Sequence, residues 1–309
     1  MHRLGASARL NPPISVIQRQ KMKYHRKFGG FGDMKGEFVY PSGLAVNDQN
    51  CIIVADRSNR LVQIFDHEGQ FKLEFGKPGR KDGQMLYPSR VAVVRMSGDI
   101  VVSEPFPTHQ IQIYDRNGRF LRKFGSEILR HPGAIAVDPM GQVIVVECKV
   151  MRVIIFGQSG AVYHSFDCSM HLRSPNGVAV NYRGEIFISD SRAHCVKVFN
   201  YDGVLLRQIG GDGLTNYPIG VCLNRRGEVL VVSNNGFLNV TVFTQHGQLV
   251  GALQSTRTHR PCFDCALMDE DSLIVASEDC HLYVYRYAPL PAPVAPAAPL
   301  APPHGLEVR

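Results

Sequence analysis

One short unit recurs six times along this chain, and that recurrence limits the possible folds more than any other feature. Each copy opens on a proline followed by alternating apolar positions: Pro41 (YPSGLAV), Pro88 (YPSRVAV), Pro132 (HPGAIAV), Pro175 (SPNGVAV), Pro218 (YPIGVCL) and, weakly, Pro261 (RPCFDCAL). The steps between them are 47, 44, 43, 43 and 43 residues. A second run follows each opening (CIIVAD, DIVVSE, QVIVVE, EIFISD, EVLVVS, SLIVAS), then a third (LVQIFD, QIQIYD, RVIIFG, CVKVFN, NVTVFT, LYVYRY). A fourth run closes five copies (FKLEFG, FLRKFG, VYHSFD, LLRQIG, LVGAL). These are β-branched and aromatic stretches of period two, punctuated by Gly and Asp/Asn turns.

Four strands per repeat of this length predict an all-β chain, a six-bladed β-propeller with four antiparallel strands per blade. The sixth copy lacks its fourth run. The segment KYHRKFG (23–29) carries the fourth-run ending without a blade of its own. It is expected to complete the last blade and close the ring, because an open ring leaves two unpaired edges. The domain reading is a flexible basic lead-in over 1–22, the propeller over 23–288, and an extended Pro/Ala-rich tail over 289–309.

The formal charge of +7 suggests nucleic acid until it is mapped. Seven of the 34 Lys and Arg fall within residues 1–30, where there is no acid, leaving 27 basic against 27 acidic side chains elsewhere. Any electrostatic case must therefore rest on local clustering. No run is long enough to span a membrane, and the N-terminus lacks a signal-peptide core, so a cytoplasmic protein with reduced, mostly buried thiols is expected. Cys262-x-x-Cys265 is a lone pair whose members face opposite sides of a strand.

Alternating strand direction sends the connections between blades, and the loops between second and third strands, to one end of the ring. The short Gly-centred hairpins go to the other. The long-loop end gathers Tyr40, Arg57, Asn59, Arg60, Tyr87, Arg90, Phe106, His109, His131, Lys149, Asn176, Arg192, His194, Tyr217, Asn234 and Phe237. Cations, amides and rings mixed in this way suit single-stranded RNA, where bases stack and phosphates meet Lys or Arg. They equally suit a polar docking surface for a protein. Asp56, Glu104, Glu147, Asp190 and Ser233 close the second strand in successive copies. Such a recurring carboxylate is expected to anchor loop N–H groups, with a metal ring as the lesser alternative. His109, His194 and His281 leave a metal-dependent propeller lyase as a remote alternative. No nucleophile elbow, P-loop, HExxH or paired CxxC is present, so neither catalysis nor a cofactor is expected.

The unit P-x-G-V/I-A-V … I-x-V-S/A-D … V-x-V-F … G resembles the NHL repeat. The runs VECKVMRVIIF, RAHCVKVFNY, THQIQIY and NYPIGV resemble the propellers of the TRIM-NHL family. The resemblance covers about residues 24–287. It implies a propeller that reads U-rich motifs in single-stranded mRNA 3′ untranslated regions and represses translation or promotes decay. It places RNA contacts at Tyr87, Cys148, Lys149, Asn176, Tyr217 and Asn234, with Arg90 and His194 beside them. It also implies an eIF4E-like cap-binding repressor, with other translational repressors, on the opposite face, where Arg95 is the matching residue. The chain departs from the resembled pattern at Ser58, Arg60, Pro105, Gly133, Met140, Ser174 and Ser191. The zinc modules that accompany such propellers in ubiquitin ligases are absent from these residues, so ligase activity is not expected of this chain.

Overall fold

The computed structural model describes residues 17–269, 271–288 and 290, and every described element is a strand. The first unit shows the pattern: strands Pro41–Val46, Ile52–Asp56, Leu61–Phe65 and Phe71–Phe75 pair in sequence as an antiparallel sheet. Three further four-stranded sheets repeat it. The fifth and sixth units share one eight-stranded sheet.

The strand Arg19–Gly29 makes that fusion. From Lys23 to Gly29 it pairs antiparallel with His281–Arg286 and supplies the missing fourth strand of the last unit. The sequence reading is corrected at its start, because Arg19–Met22 are strand and not lead-in. They pair in parallel with Ala252–Ser255 on the outer strand of the fifth unit, which extends from Leu249 to Thr258 to meet them. Residues 1–16 lie outside the described residues, as does the expected tail apart from Leu290. That side chain is buried in the cluster between units five and six, so it does not belong to an unpacked tail.

The ring closes. The inner strands Pro41–Val46, Arg90–Val93, Pro132–Val137, Pro175–Val180, Pro218–Leu223 and Cys262–Asp269 each contact the next, and the last contacts the first. The sixth begins in register at Cys262, which pairs with Ser277 as Pro41 pairs with Asp56, one residue past Pro261. The core accordingly consists of six seams between neighbouring units. Phe65 with Ile274 and Leu282 fills one, Phe156 with Val101 and Ile113 another. This explains the unbroken apolar reading of the second strands. Ile52–Asp56, Ile100–Glu104, Val143–Glu147 and Ile186–Asp190 are buried throughout because units cover both faces. Outer strands such as Phe71–Phe75 and Leu205–Ile209 alternate instead, with one face in water.

Candidate nucleic-acid interface

The long-loop face is held by the recurring carboxylates, which serve as anchors. Asp56 accepts from the N–H groups of Val39 and Tyr40 at 3.1 and 2.9 Å. Glu104 accepts from Leu86 and Tyr87 at 2.6 and 3.2 Å, and Asp190 from Arg173 and Ser174 at 2.6 and 3.0 Å. Glu147 does the same for Arg130 and His131. Each carboxylate is fully buried, and a buried charge needs such donors. The result is functional in geometry. The residue before each opening proline, whether Tyr40, Tyr87, His131 or Ser174, is fixed at the same height on one face.

The loops between second and third strands end on a residue with positive φ in every unit: Arg60, His109, Met151, His194, Gly236 and Cys280. Five of the six are not glycine, at a cost of roughly 1 kcal/mol each. The common turn raises Arg60 beside Tyr87, His194 beside Tyr217 and His109 beside Phe106.

A run of rings and guanidinium groups crosses units six, one and two. Phe263 stacks on Tyr40 with centroids 4.3 Å apart and planes 26° from parallel. The Arg57 guanidinium lies 5.9 Å from the Tyr40 ring and 5.7 Å from the Tyr87 ring, and Arg60 lies 5.9 Å from Tyr87 on the same face. Cations over ring faces are attracted by the ring quadrupole, so the run is pre-ordered before any ligand arrives. Phe263 escaped the sequence reading because its unit is the weakest match. The stronger signal was its register, one place past the Cys262 that stands for proline.

The remaining expected contacts divide. Lys149 is exposed and Tyr217 is 56% exposed. Tyr87, Asn234 and His194 are half-buried at the same end. Asn234 Nδ2 donates to the Arg260 carbonyl at 2.7 Å, which orients its amide. Cys148 turns inward, donating to the Pro175 carbonyl at 3.3 Å, and burial pushes its thiol up to about 11. A side chain at Gly133 would strike the Cys148 sulfur, so the departure there goes with an inward cysteine.

Arg90 stands apart from the others. Its register is that of Gly43, Ala134, Gly177, Gly220 and Asp264, a ring of positions lining the central channel. Small residues there leave space that Arg90 and Asp264 fill. Arg90 Nη1 donates to the carbonyls of Ser42 and Phe263 at 2.9 and 2.8 Å and lies 3.1 Å from Asp264. Its Nη2 donates to Asn176 Oδ1 at 2.8 Å. Burial raises the Asp264 carboxyl, and Arg90 opposes that shift. Arg90 thus plugs the channel and orients Asn176, with its donors already engaged inside the protein.

His131, between Tyr87 and Lys149 in ring order, is held below the usual imidazole range by burial and by Lys149, His109 and Arg57, with Glu147 opposing. Among the described residues no three His, Cys, Asp or Glu side chains converge as metal ligands. His194 is engaged with Tyr217 and His281 with Asp279. Arg95, at the other end of the ring, is exposed beside the channel's second mouth.

Comparison with known proteins agrees with the repeat and the fold. The NHL repeat model matches residues 38–65 and 172–199. The chain is 67% identical over 288 residues to Protein brain tumor of Drosophila melanogaster, covering 93% of this chain and 28% of that protein. It is 59% identical over 278 residues to B-box type zinc finger protein ncl-1 of Caenorhabditis elegans, covering 90% of this chain and 33% of that one. The chain therefore spans about a third or less of these relatives. Among solved structures, a streptogramin B lyase superposes with a TM-score of 0.64 at 12% identity, covering 84% of this chain and 96% of that one. Virginiamycin B lyase from Staphylococcus aureus gives 0.63 at 10%, covering 87% and 100%. Likeness at that identity concerns the fold alone. On its repeats and a similarity to brain tumor and ncl-1 that covers 93% and 90% of its own length, the chain is an NHL-repeat β-propeller of the TRIM-NHL family.

Proposed function

We propose that the long-loop face binds single-stranded mRNA selectively, in U-rich 3′ untranslated motifs, and that the chain acts in post-transcriptional repression in the cytoplasm without catalysing a reaction. The observation that carries this reading is the pre-ordered run Phe263–Tyr40–Arg57–Tyr87–Arg60 on the face that also bears Lys149, His194, Tyr217 and Asn234. Rings accept stacked bases of any identity, cations between them meet phosphates, and an amide oriented like Asn234 can read a base edge. Arg90 contributes by holding Asn176. A random-RNA selection with the 309-residue chain tests the reading. An enriched motif whose binding collapses in Tyr87→Ala is expected, and no enrichment would overturn it.

A second reading has support at the other end of the ring. Arg95 borders three adjoining concavities there, a placement suited to docking an eIF4E-like cap-binding repressor. Pull-down with Arg95→Glu, repeated after RNase treatment, separates a direct protein contact from one bridged by RNA.

A further inference from the structure

The hairpin face has a structure of its own. The inner strands reach it at Val46, Val93, Val137, Val180, Leu223 and Leu267, each half-buried, which form an aliphatic floor around the channel's second mouth. Above this floor the turns of units two to five enclose a concavity of about 570 Å³, with the cations coming from units two, four and five. Its charged walls are Arg95, Arg183, Arg225 and Arg226, with His246 at the edge, and among the described residues neither Asp nor Glu lines it. Two acids beside it are committed elsewhere, while Asp48 and Asp269 line the adjoining concavity that Arg95 and Arg225 also border. Glu185 receives the fork of Arg207 at 2.7 and 2.9 Å, and Asp138 accepts from the Tyr201 hydroxyl at 2.6 Å. Arg226 approaches Asp271 only to 3.8 Å, and among the described residues Arg95, Arg183 and Arg225 form no ion pair. Arg183 rests over the ring of Tyr182, 5.5 Å away, which steadies its guanidinium, and Glu185, already held by Arg207, is the acid its charge reaches.

We propose that this concavity is a binding site for a compact, multiply phosphorylated small molecule, independent of the RNA surface on the other face. Four like charges raised from three units around a low-dielectric floor focus a positive potential into one volume. That arrangement repels itself until a polyanion neutralises it. The guanidinium fork matches phosphate oxygens in pairs. The volume falls within the roughly 300–1,000 Å³ of ligand pockets. A single phosphate could satisfy one turn, whereas cations contributed by three turns call for several phosphates on one small frame. Bound there, such a molecule would bridge three units and raise the thermal stability of the ring.

The test uses isothermal titration of the 309-residue chain with inositol hexakisphosphate and, separately, inorganic tripolyphosphate. Saturable binding of either at one site per chain, with a rise in unfolding temperature, is expected. Each of Arg183→Gln and Arg225→Gln should weaken it on the order of tenfold, since each removes charge-assisted hydrogen bonds. Lys149→Ala, on the opposite face, should leave it unchanged. Both arginines are exposed, so the variants should unfold at the wild-type temperature without ligand. Non-saturating or multiple-site binding would overturn the proposal, as would an equal loss in Lys149→Ala, which would mark diffuse surface charge. Displacement of the polyanion by a single-stranded RNA whose own binding falls in Arg183→Gln would also overturn it, by assigning these arginines to RNA.

Discussion

The Tyr217 N–H donates to Nδ1 of His194 at 3.1 Å across the boundary between units four and five, and the two rings meet edge to face at 4.4 Å. Every other tyrosine or histidine at this height is held by a carboxylate of its own unit, but the fifth unit has Ser233 there. His194 stands in for the missing acceptor. Both residues sit at positive φ, 54° and 49°. In His194→Gly, the residue the fifth unit itself uses at Gly236, the backbone is relieved while the acceptor is lost. Stability should change by less than about 1 kcal/mol, because water can reach the freed N–H. RNA affinity should fall roughly three- to tenfold as Tyr217 loses its fixed orientation. Parallel thermal melts and RNA titrations check both.

The Arg90–Asp264 pair makes the opposite prediction, a large effect on stability. Each side chain is 14% exposed, and the pair fills the channel. Arg90→Gly leaves a buried carboxylate without its cation and should cost about 3–5 kcal/mol in denaturant unfolding. Arg90→Gly combined with Asp264→Gly restores the small residues that units one, four and five carry. The double variant should be less destabilised than the sum of the singles, the signature of a coupled pair.

This pair also marks the limit of what the sequence discloses. The period, the four strands and the closing strand were legible because each unit repeats the same burial pattern. Channel residues face no neighbour in their own sheet, so Arg90 read as one more loop cation. Its register, where other units place Gly or Ala, was the available signal, with Asp264 at the matching place. Arg19–Met22 were illegible for another reason. Three of the four are polar, and their partner Ala252–Ser255 lies more than two hundred residues away, so no local pattern records the pairing. The carboxylate anchors were legible as structural because they recur, whereas the exception at Ser233 pointed to His194 only after the loops were seen together.

Acid should act on folding and on RNA binding with opposite signs. Burial depresses His131 and His259, with Lys149, His109 and Arg57 adding to the first and Arg257 to the second, while Glu147 and Asp279 oppose. An imidazole kept neutral by the fold binds fewer protons than the same group unfolded. Its contribution to stability is therefore complete above about pH 6.5 and lost as pH falls through the depressed folded values. Unfolding free energy should decline from pH 7 to 5.5. A phosphate placed near His131 favours its charged form, so RNA affinity should strengthen over the same interval. His131→Asn should flatten the RNA profile. Parallel declines in stability and affinity would place the phosphates away from His131.

Stacking and charge on the RNA face can be separated by salt. Tyr87 offers a ring already flanked by Arg57 and Arg60, so Tyr87→Ala should cost about 1–3 kcal/mol of RNA binding at every salt concentration. Tyr87→Phe should retain most of it, because the ring stacks and the hydroxyl does not. Lys149→Glu should act chiefly at low salt and reduce the slope of log affinity against log salt by about one or more. Neither side chain is part of a buried seam, so both variants should melt like the parent chain. Titrations at several salt concentrations with one selected RNA decide the matter. A Tyr87→Ala loss that disappears at high salt would mean that the ring merely positions its two arginines, and the stacking role would pass to Tyr40 and Phe263.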